Sequence, residues 1–285
     1  MARLPKIVIQ SIALPIGNYE DIGIRALRLL GEAAILFCED TRKVKGLMES
    51  RGVASTSKWI SIPGDEEWSF DFSRLAEGAS DGDLWVIVSD AGTPVLNDPG
   101  RAIIEWARRE GLPVGAVPGP SAVTAALQWS GGFGVPLVFL GFAPKEKNPK
   151  SVSWEKFFAA AESVGTVIFF DTKHQILSTL EALIARELSE APLFIAREIS
   201  KEHEELLSGT VGELHHIIQG RLQKNEPIGE LTLVMKGLPG IAKSSLVNLE
   251  QLKAFRKMST KDASKWAGEV TGLSSRDCYQ AFIEE

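Results

Sequence analysis

Short apolar runs recur along the chain, and nearly every one is closed by glycine, proline or a cluster of polar residues. The runs at 7–14, 35–38, 59–62, 84–88, 114–117 and 137–140 read as strands. Leu84-Trp85-Val86-Ile87-Val88 is apolar throughout, the pattern of a strand buried on both faces. Between the runs the period becomes helical. Ile22, Ala26, Leu29, Leu30 and Ala33 share one face, with Asp21 placed to cap it, and Ile103, Ile104, Trp106 and Ala107 share another. A further helix is expected at 72–79, and Pro120 suits the first turn of one running through Val123, Ala126 and Leu127. Strands alternating with helices predict a parallel α/β sheet, with 137–140 as its closing strand.

GFAPKEKNPK at 141–150 is nearly free of apolar residues and reads as a linker. A second α/β unit follows. Phe157 and Phe158 fall on a helix, 166–170 is a strand, and Ile176, Leu180, Leu183 and Ile184 form a helix face. Strands at 193–196, 204–210 and 229–235 flank a helix marked by Leu214, Ile217 and Ile218, and 237–243 reads as a second linker. In the tail, Ser259 with Asp262 and Ser274 with Asp277 have capping-box spacing. Ala263, Trp266, Ala267 and Val270 form a helical stripe that Gly272 can end. The expected division is 1–141, 151–240 and a small helical extension at 245–285.

A chain of 285 residues suits two domains plus such an appendage. The net charge of −6 argues against a generally basic nucleic-acid binder but leaves local basic patches open. Cys38 and Cys278 are far apart, which supports neither a disulfide framework nor a zinc site, and no metal is expected. The N-terminal run is broken by Gln10 and Ser11, and no stretch has the apolar length of a membrane span. A cytoplasmic location with no membrane partner is the expectation.

Polar clusters close the strands at 15–18, 39–42, 89–100 and 118–122, along what would be one edge of the sheet. In open α/β sheets ligands sit outside the carboxyl ends of strands at such loops. A second set at 171–174, 197–201 and 229–231 can face them, which suits a ligand held between two lobes. No phosphate loop, dinucleotide fingerprint or nucleophile elbow is present. His215 and His216 are adjacent beside Glu213, the pattern of a solvated helix face more than of a metal pair.

PIGNYED (15–21), CEDTR (38–42), VSDAGTPVLNDPG (88–100), PGPSA (118–122), GFAPK (141–145) and AREISKEHEE (196–205) occur in this order. On these motifs the chain resembles the tetrapyrrole methylase superfamily. Within it the chain is similar to the bacterial branch that 2′-O-methylates a cytidine ribose in the decoding centre of 16S rRNA. The resemblance covers about 5–240. It implies a two-domain tetrapyrrole-methylase-like α/β fold with a small C-terminal helical extension. It also implies S-adenosylmethionine (SAM) between the domains, a homodimer, and the small ribosomal subunit as partner. Carried over by motif, the cofactor would touch Pro15, Ala91, Gly92, Thr93, Pro94, Leu96, Ser121 and Ala122, and from the second unit Phe170, Arg197, Glu230 and Leu231. One motif departs. Where the family has E-S-P-H-R, this chain has Asp171-Thr172-Lys173-His174-Gln175, with neutral Gln175 in place of an arginine.

A ribose hydroxyl is a poor nucleophile near neutral pH, so a base or an orienting acceptor is expected beside it. The cleft carboxylates are Glu39, Asp40, Asp90, Asp98 and Glu198. Glu39, Asp40 and Asp90 are the candidate catalytic groups. Spacing does not choose among them, and pairing of Asp40 with Arg42 is the structural alternative. Arg42, Lys43, Lys173, His174 and Lys201 are the candidate RNA contacts. Methylation of a tetrapyrrole or protein side chain, or RNA binding without catalysis, stays open at this level.

Overall fold

The computed structural model describes residues 5–62, 64, 66–238, 259, 261, 262, 264, 265 and 276. The first unit carries β1 (Val8–Ile12), α1 (Ile24–Glu32), β2 (Ile35–Cys38), α2 (Thr41–Ser50), β3 (Lys58–Ser61), α3 (Phe72–Ala76), β4 (Leu84–Ile87), α4 (Arg101–Arg109) and β5 (Val114–Val117). Its sheet is parallel, in the order β3-β2-β4-β1-β5. Alternate side chains of each strand enter two cores. Leu36, Val86 and Val88 pack with Leu30, Val44 and Leu47 on one face, and Phe37, Trp85 and Ile87 pack with Phe72, Ile103 and Trp106 on the other. That double burial is why the β4 segment is apolar at every position.

The chain continues through α5 (Ala122–Ser130), β6 (Leu137–Phe142), α6 (Val152–Ala161), β7 (Thr166–Thr172), α7 (Ile176–Ala185), β8 (Pro192–Arg197), β9 (Glu205–Thr210), α8 (Val211–Gln223) and β10 (Glu230–Lys236). The second sheet is mixed, in the order β6-β7-β10-β8-β9, and only β6 and β7 are parallel. Helices α6, α7 and α8 cover one face around Phe157, Phe158, Leu180, Leu183, Leu214 and Ile218. Thr210 and Glu213 form a full capping box at the start of α8.

Four expectations are corrected. The 137–140 strand does not close the first sheet; it is an edge strand of the second, with Leu137 opposite Thr166. The reason lies in α5, whose Val123 and Ala126 pack on Ile168, Ala196 and Val234 of the second sheet. The chain has therefore crossed over before 131–136, and the 141–150 segment lies within the second unit, where Trp154 donates its indole N–H to the Glu146 carbonyl at 2.8 Å. Helix α5 opens at Ala122 rather than at Pro120. Asp21 is not a helix cap: it closes a 3-10 turn, Gly23 precedes α1, and the Asp21 carboxylate accepts the Ser200 hydroxyl from the second unit.

In the tail the Ser259 oxygen accepts the Asp262 amide at 3.2 Å, as its capping-box spacing predicts. Ser274, Asp277, Cys278, Gly272 and the Ala263–Val270 stripe lie outside the described residues. No helix among the described residues is long and apolar enough to cross a membrane.

Candidate cofactor cleft and active site

The loops after β1 and β4 are neighbours because their strands pair, and they are tied directly. Leu14 and Gly92 exchange both backbone hydrogen bonds, at 2.8 and 2.9 Å. Gly92 has φ +73, and a Cβ there would lie 3.3 Å from the Ile16 side chain, so the two loops approach too closely for a larger residue. The fully buried Ser89 hydroxyl donates to the Ala91 and Gly92 carbonyls at 3.0 and 3.1 Å. Thr93 donates to the Pro120 carbonyl at 3.2 Å, which joins the loop to the start of α5. Val95 and Asn97 adopt φ +72 and +69, a costly conformation for a β-branched valine. The loop is held from behind by buried Glu67, whose carboxylate accepts the Gly100 amide at 2.7 Å at the N-terminus of α4.

Between this edge and the second sheet lies a cavity of about 530 Å³. Of the predicted cofactor residues, Ala91, Gly92, Thr93, Leu96, Ser121, Ala122, Phe170, Glu230 and Leu231 line it. Pro15, Pro94 and Arg197 do not. Pro15 and Pro94 are buried, and Ile16 takes the wall position expected of Pro15. Buried Arg197 turns away and donates to the carbonyls of Ile228, His203 and Pro227 at 2.7, 2.7 and 2.9 Å. It fastens the backbone leading into Gly229 and Glu230, which line the cavity.

The three candidate catalytic carboxylates do not line the cavity. Glu39 is exposed. Asp40 caps α2 by accepting the Arg42 amide at 2.9 Å, and the Arg42 guanidinium grips it at 3.0 and 2.7 Å, holding its carboxyl down at about 2. Asp90 accepts the Asp40 amide at 2.8 Å and the Lys43 ammonium at 2.7 Å. Asp98, by contrast, lines the cavity half-buried. Burial, and then the charges of Glu39 and Asp90, push its carboxyl up to about 6.

Among the candidate RNA contacts, Lys173, His174 and Lys201 line the cavity, whereas Arg42 and Lys43 stand outside it on α2. Lys201 bridges Glu198 and Glu230 at 3.2 and 2.8 Å. Gln175, at the departing motif position, points away from the cavity and donates to the carbonyls of Ala143 and Pro144 at 3.1 and 2.6 Å. Phe142 was not singled out from the sequence. A register shift between Phe139 and Phe142 coincides with Gly141 at φ +70, and the half-exposed Phe142 ring reaches the wall against Phe170.

The walls fit a nucleoside-bearing sulfonium. Apolar Leu96, Phe170, Ala196 and Leu231 offer a dry surface, Gly92 admits close backbone approach, and no group of three or more metal-ligating side chains forms among the described residues. Two α/β units, one with a parallel and one with a mixed sheet, joined by such a cleft define a class. A family profile for Tetrapyrrole (Corrin/Porphyrin) Methylases matches residues 8–215, and the chain belongs to that family of SAM-dependent methyltransferases. Diphthine synthase shares the fold with a TM-score of 0.58 at 16% identity, over 81% of this chain and 90% of that one. So does uroporphyrin-III C-methyltransferase from Thermus thermophilus complexed with S-adenyl homocysteine, with a TM-score of 0.53 at 16% identity over 80% and 96%. Within the class, the chain is 34% identical over 227 residues to Ribosomal RNA small subunit methyltransferase I of Thermotoga maritima, covering 79% of this chain and 96% of that protein. To the protein of the same name from Neisseria meningitidis serogroup A it is 36% identical over 274 residues, covering 94% and 90%. It belongs to this small-subunit rRNA methyltransferase family.

Proposed function

We propose that the chain transfers a methyl group from SAM to the 2′-hydroxyl of a cytidine ribose in the decoding centre of 16S rRNA. The observation that carries the reading is the cavity between the two sheets, whose lining combines apolar and backbone surface with Lys173, His174 and Lys201. Bound SAM supplies a methyl group on a sulfonium, whose transfer is favourable, so the work left to the protein is alignment and exclusion of water. Ala91, Gly92 and Thr93 present backbone to the cofactor; Leu96, Phe170 and Leu231 keep the reacting atoms dry. The cations Arg42 and Lys43 on α2 give the phosphodiester chain a path to the cavity, and binding through them weakens steeply with salt. A single ribose within a folded subunit is reached by splaying out its nucleotide rather than by reading a duplex.

Assembly as a homodimer belongs to the same proposal and is supported by exposed Val135 and Leu137 beside the open edge of β6. Light scattering tests it. The reaction is tested by incubating the protein with labelled SAM and small subunits that lack the modification, then mapping the label. Label on one decoding-centre cytidine ribose is the expected result. Label on another nucleotide, on ribosomal protein or nowhere overturns the assignment.

A further inference from the structure

We propose, on the reading of ribose methylation above, that Asp98 is the group that accepts the proton of the attacking hydroxyl. The first support is elimination by geometry. Asp40 is held by Arg42, Asp90 by Lys43 and the Asp40 amide, and Glu198 by the Glu230 amide at 2.6 Å and Lys201 at 3.2 Å. Asp171 lines the cavity but is almost wholly buried: one oxygen accepts the Thr172 amide at 2.6 Å, and the other is sealed from solvent. Asp98 alone among these carboxylates both lines the cavity and makes no hydrogen bond or ion pair among the described residues.

The second support is the way its loop is built. Val95 and Asn97 on either side of Leu96 are held at positive φ, Val95 is tied to the Pro99 carbonyl at 3.1 Å, and Glu67 anchors Gly100. A conformation that costs energy is retained here, and it directs Leu96 and Asp98 together into the cavity. The charges acting on the carboxylate are those of Glu39 at the end of β2 and Asp90 after β4, and the titratable groups that share its cavity are Asp171 on β7, Lys173 and His174 after β7, Glu198 and Lys201 after β8, and Glu230 on β10. Burial first, and then the charges of Glu39 and Asp90, raise its proton affinity toward neutrality, where a base is most effective.

In the step itself the 2′-oxygen bonds to the methyl carbon as the carbon–sulfur bond breaks. The pair of that bond stays on sulfur, giving S-adenosylhomocysteine. The hydroxyl proton passes to the Asp98 carboxylate and from there to solvent, so charge and atoms balance.

The test is Asp98→Asn alongside the unaltered protein, with three readouts: methyl transfer to unmodified small subunits across pH, SAM affinity by calorimetry, and the carboxyl ¹³C titration of Asp98 in the protein alone. The expected results are a fall in kcat of about 100-fold or more, SAM affinity within threefold, and loss of the acidic limb of the rate profile. The carboxyl should titrate near 6. A variant within fivefold of the unaltered rate, a tenfold loss of SAM affinity, or a carboxyl titrating below the ordinary aspartate range overturns the assignment. An unaltered protein that modifies no subunit overturns the reading and the assignment together; an active unaltered protein with an active variant overturns only the assignment.

Discussion

Replacing Arg197 by methionine separates the two roles open to this residue. Its guanidinium is buried and donates to three backbone carbonyls, at 2.7, 2.7 and 2.9 Å, of which the one at Ile228 is in buried surroundings and the other two are partly solvated. A hydrogen bond from a charged donor contributes about 1.5–3 kcal/mol, and a buried acceptor left without a partner costs about 1–3 kcal/mol. Taking about 2 kcal/mol for the Ile228 contact and about 1 kcal/mol for each of the others gives a loss of about 4 kcal/mol. Glu205, 3.7 Å from Arg197, adds little, because Arg221 still holds it through two contacts of 2.7 Å. Methionine fills much of the same volume, so the loss is polar rather than a cavity effect. Urea unfolding reads the change through its midpoint at constant slope. SAM calorimetry on the variant, below its unfolding transition, should show an affinity loss of tenfold or less, arising from looser placement of Gly229 and Glu230. A variant that keeps its full stability but no longer binds SAM would refute the structural role and return Arg197 to the cofactor contacts.

Gly17→Ala should destabilise by about 2 kcal/mol through overpacking and weaken SAM binding, because a Cβ there would lie 2.6 Å from the Lys201 side chain and 2.7 Å from the Ser200 backbone across the seam between the units; unchanged unfolding and calorimetry would contradict the seam. Gln175→Leu should cost about 1–2 kcal/mol of stability, since it leaves the Ala143 and Pro144 carbonyls without their donor, and should leave SAM affinity unchanged; a selective loss of subunit binding would instead show that position 175 grips RNA. Asp171 is almost wholly buried and its carboxyl sits at about 6, chiefly from burial. Its unfolded-state value is lower, so native stability falls as pH rises from about 4 to 6, and Asp171→Asn should gain about 2–3 kcal/mol on the unaltered protein between pH 4 and 7.5; parallel stability curves would refute this.

The strands were legible because a strand buried on both faces leaves a bare apolar run, as Leu84 to Ile87 does. Which sheet a strand joins was not. Nothing local in 137–142 distinguishes an edge of one sheet from an edge of the other; the choice is made by Val123 and Ala126 finding Ile168, Ala196 and Val234. Side-chain direction was equally hidden. Motif position placed Arg197 beside the cleft, yet the same fork that suits a carboxylate suits a set of backbone carbonyls, and here the carbonyls take it. Asp40 shows the converse difficulty, because an acid before a helix is both an attractive base and a good N-cap, and the Arg42 amide uses it as the cap.

These reversals share one cause. The cavity wall is built largely from backbone and from small or apolar side chains, so the loops that carry it have little of their own to hold them. The chain fixes them from behind with charged and amide groups: Glu67 under the Gly100 loop, Arg197 under the turn into Gly229, and Gln175 under Ala143 and Pro144. Conspicuous polar residues at strand ends are thus drawn into anchoring, and few charges are left free inside the cavity. Those few carry more weight for it. Lys201 is compensated by Glu198 and Glu230, whereas Asp98 is compensated by nothing among the described residues and is opposed by Glu39 and Asp90. A cationic sulfonium brought against that wall meets a net acidic edge, which favours the charged cofactor over its neutral product. Calorimetry with SAM and with S-adenosylhomocysteine should therefore give a preference for SAM that shrinks in Asp98→Asn, and an equal preference in both proteins would show that the acidic edge does not reach the sulfur.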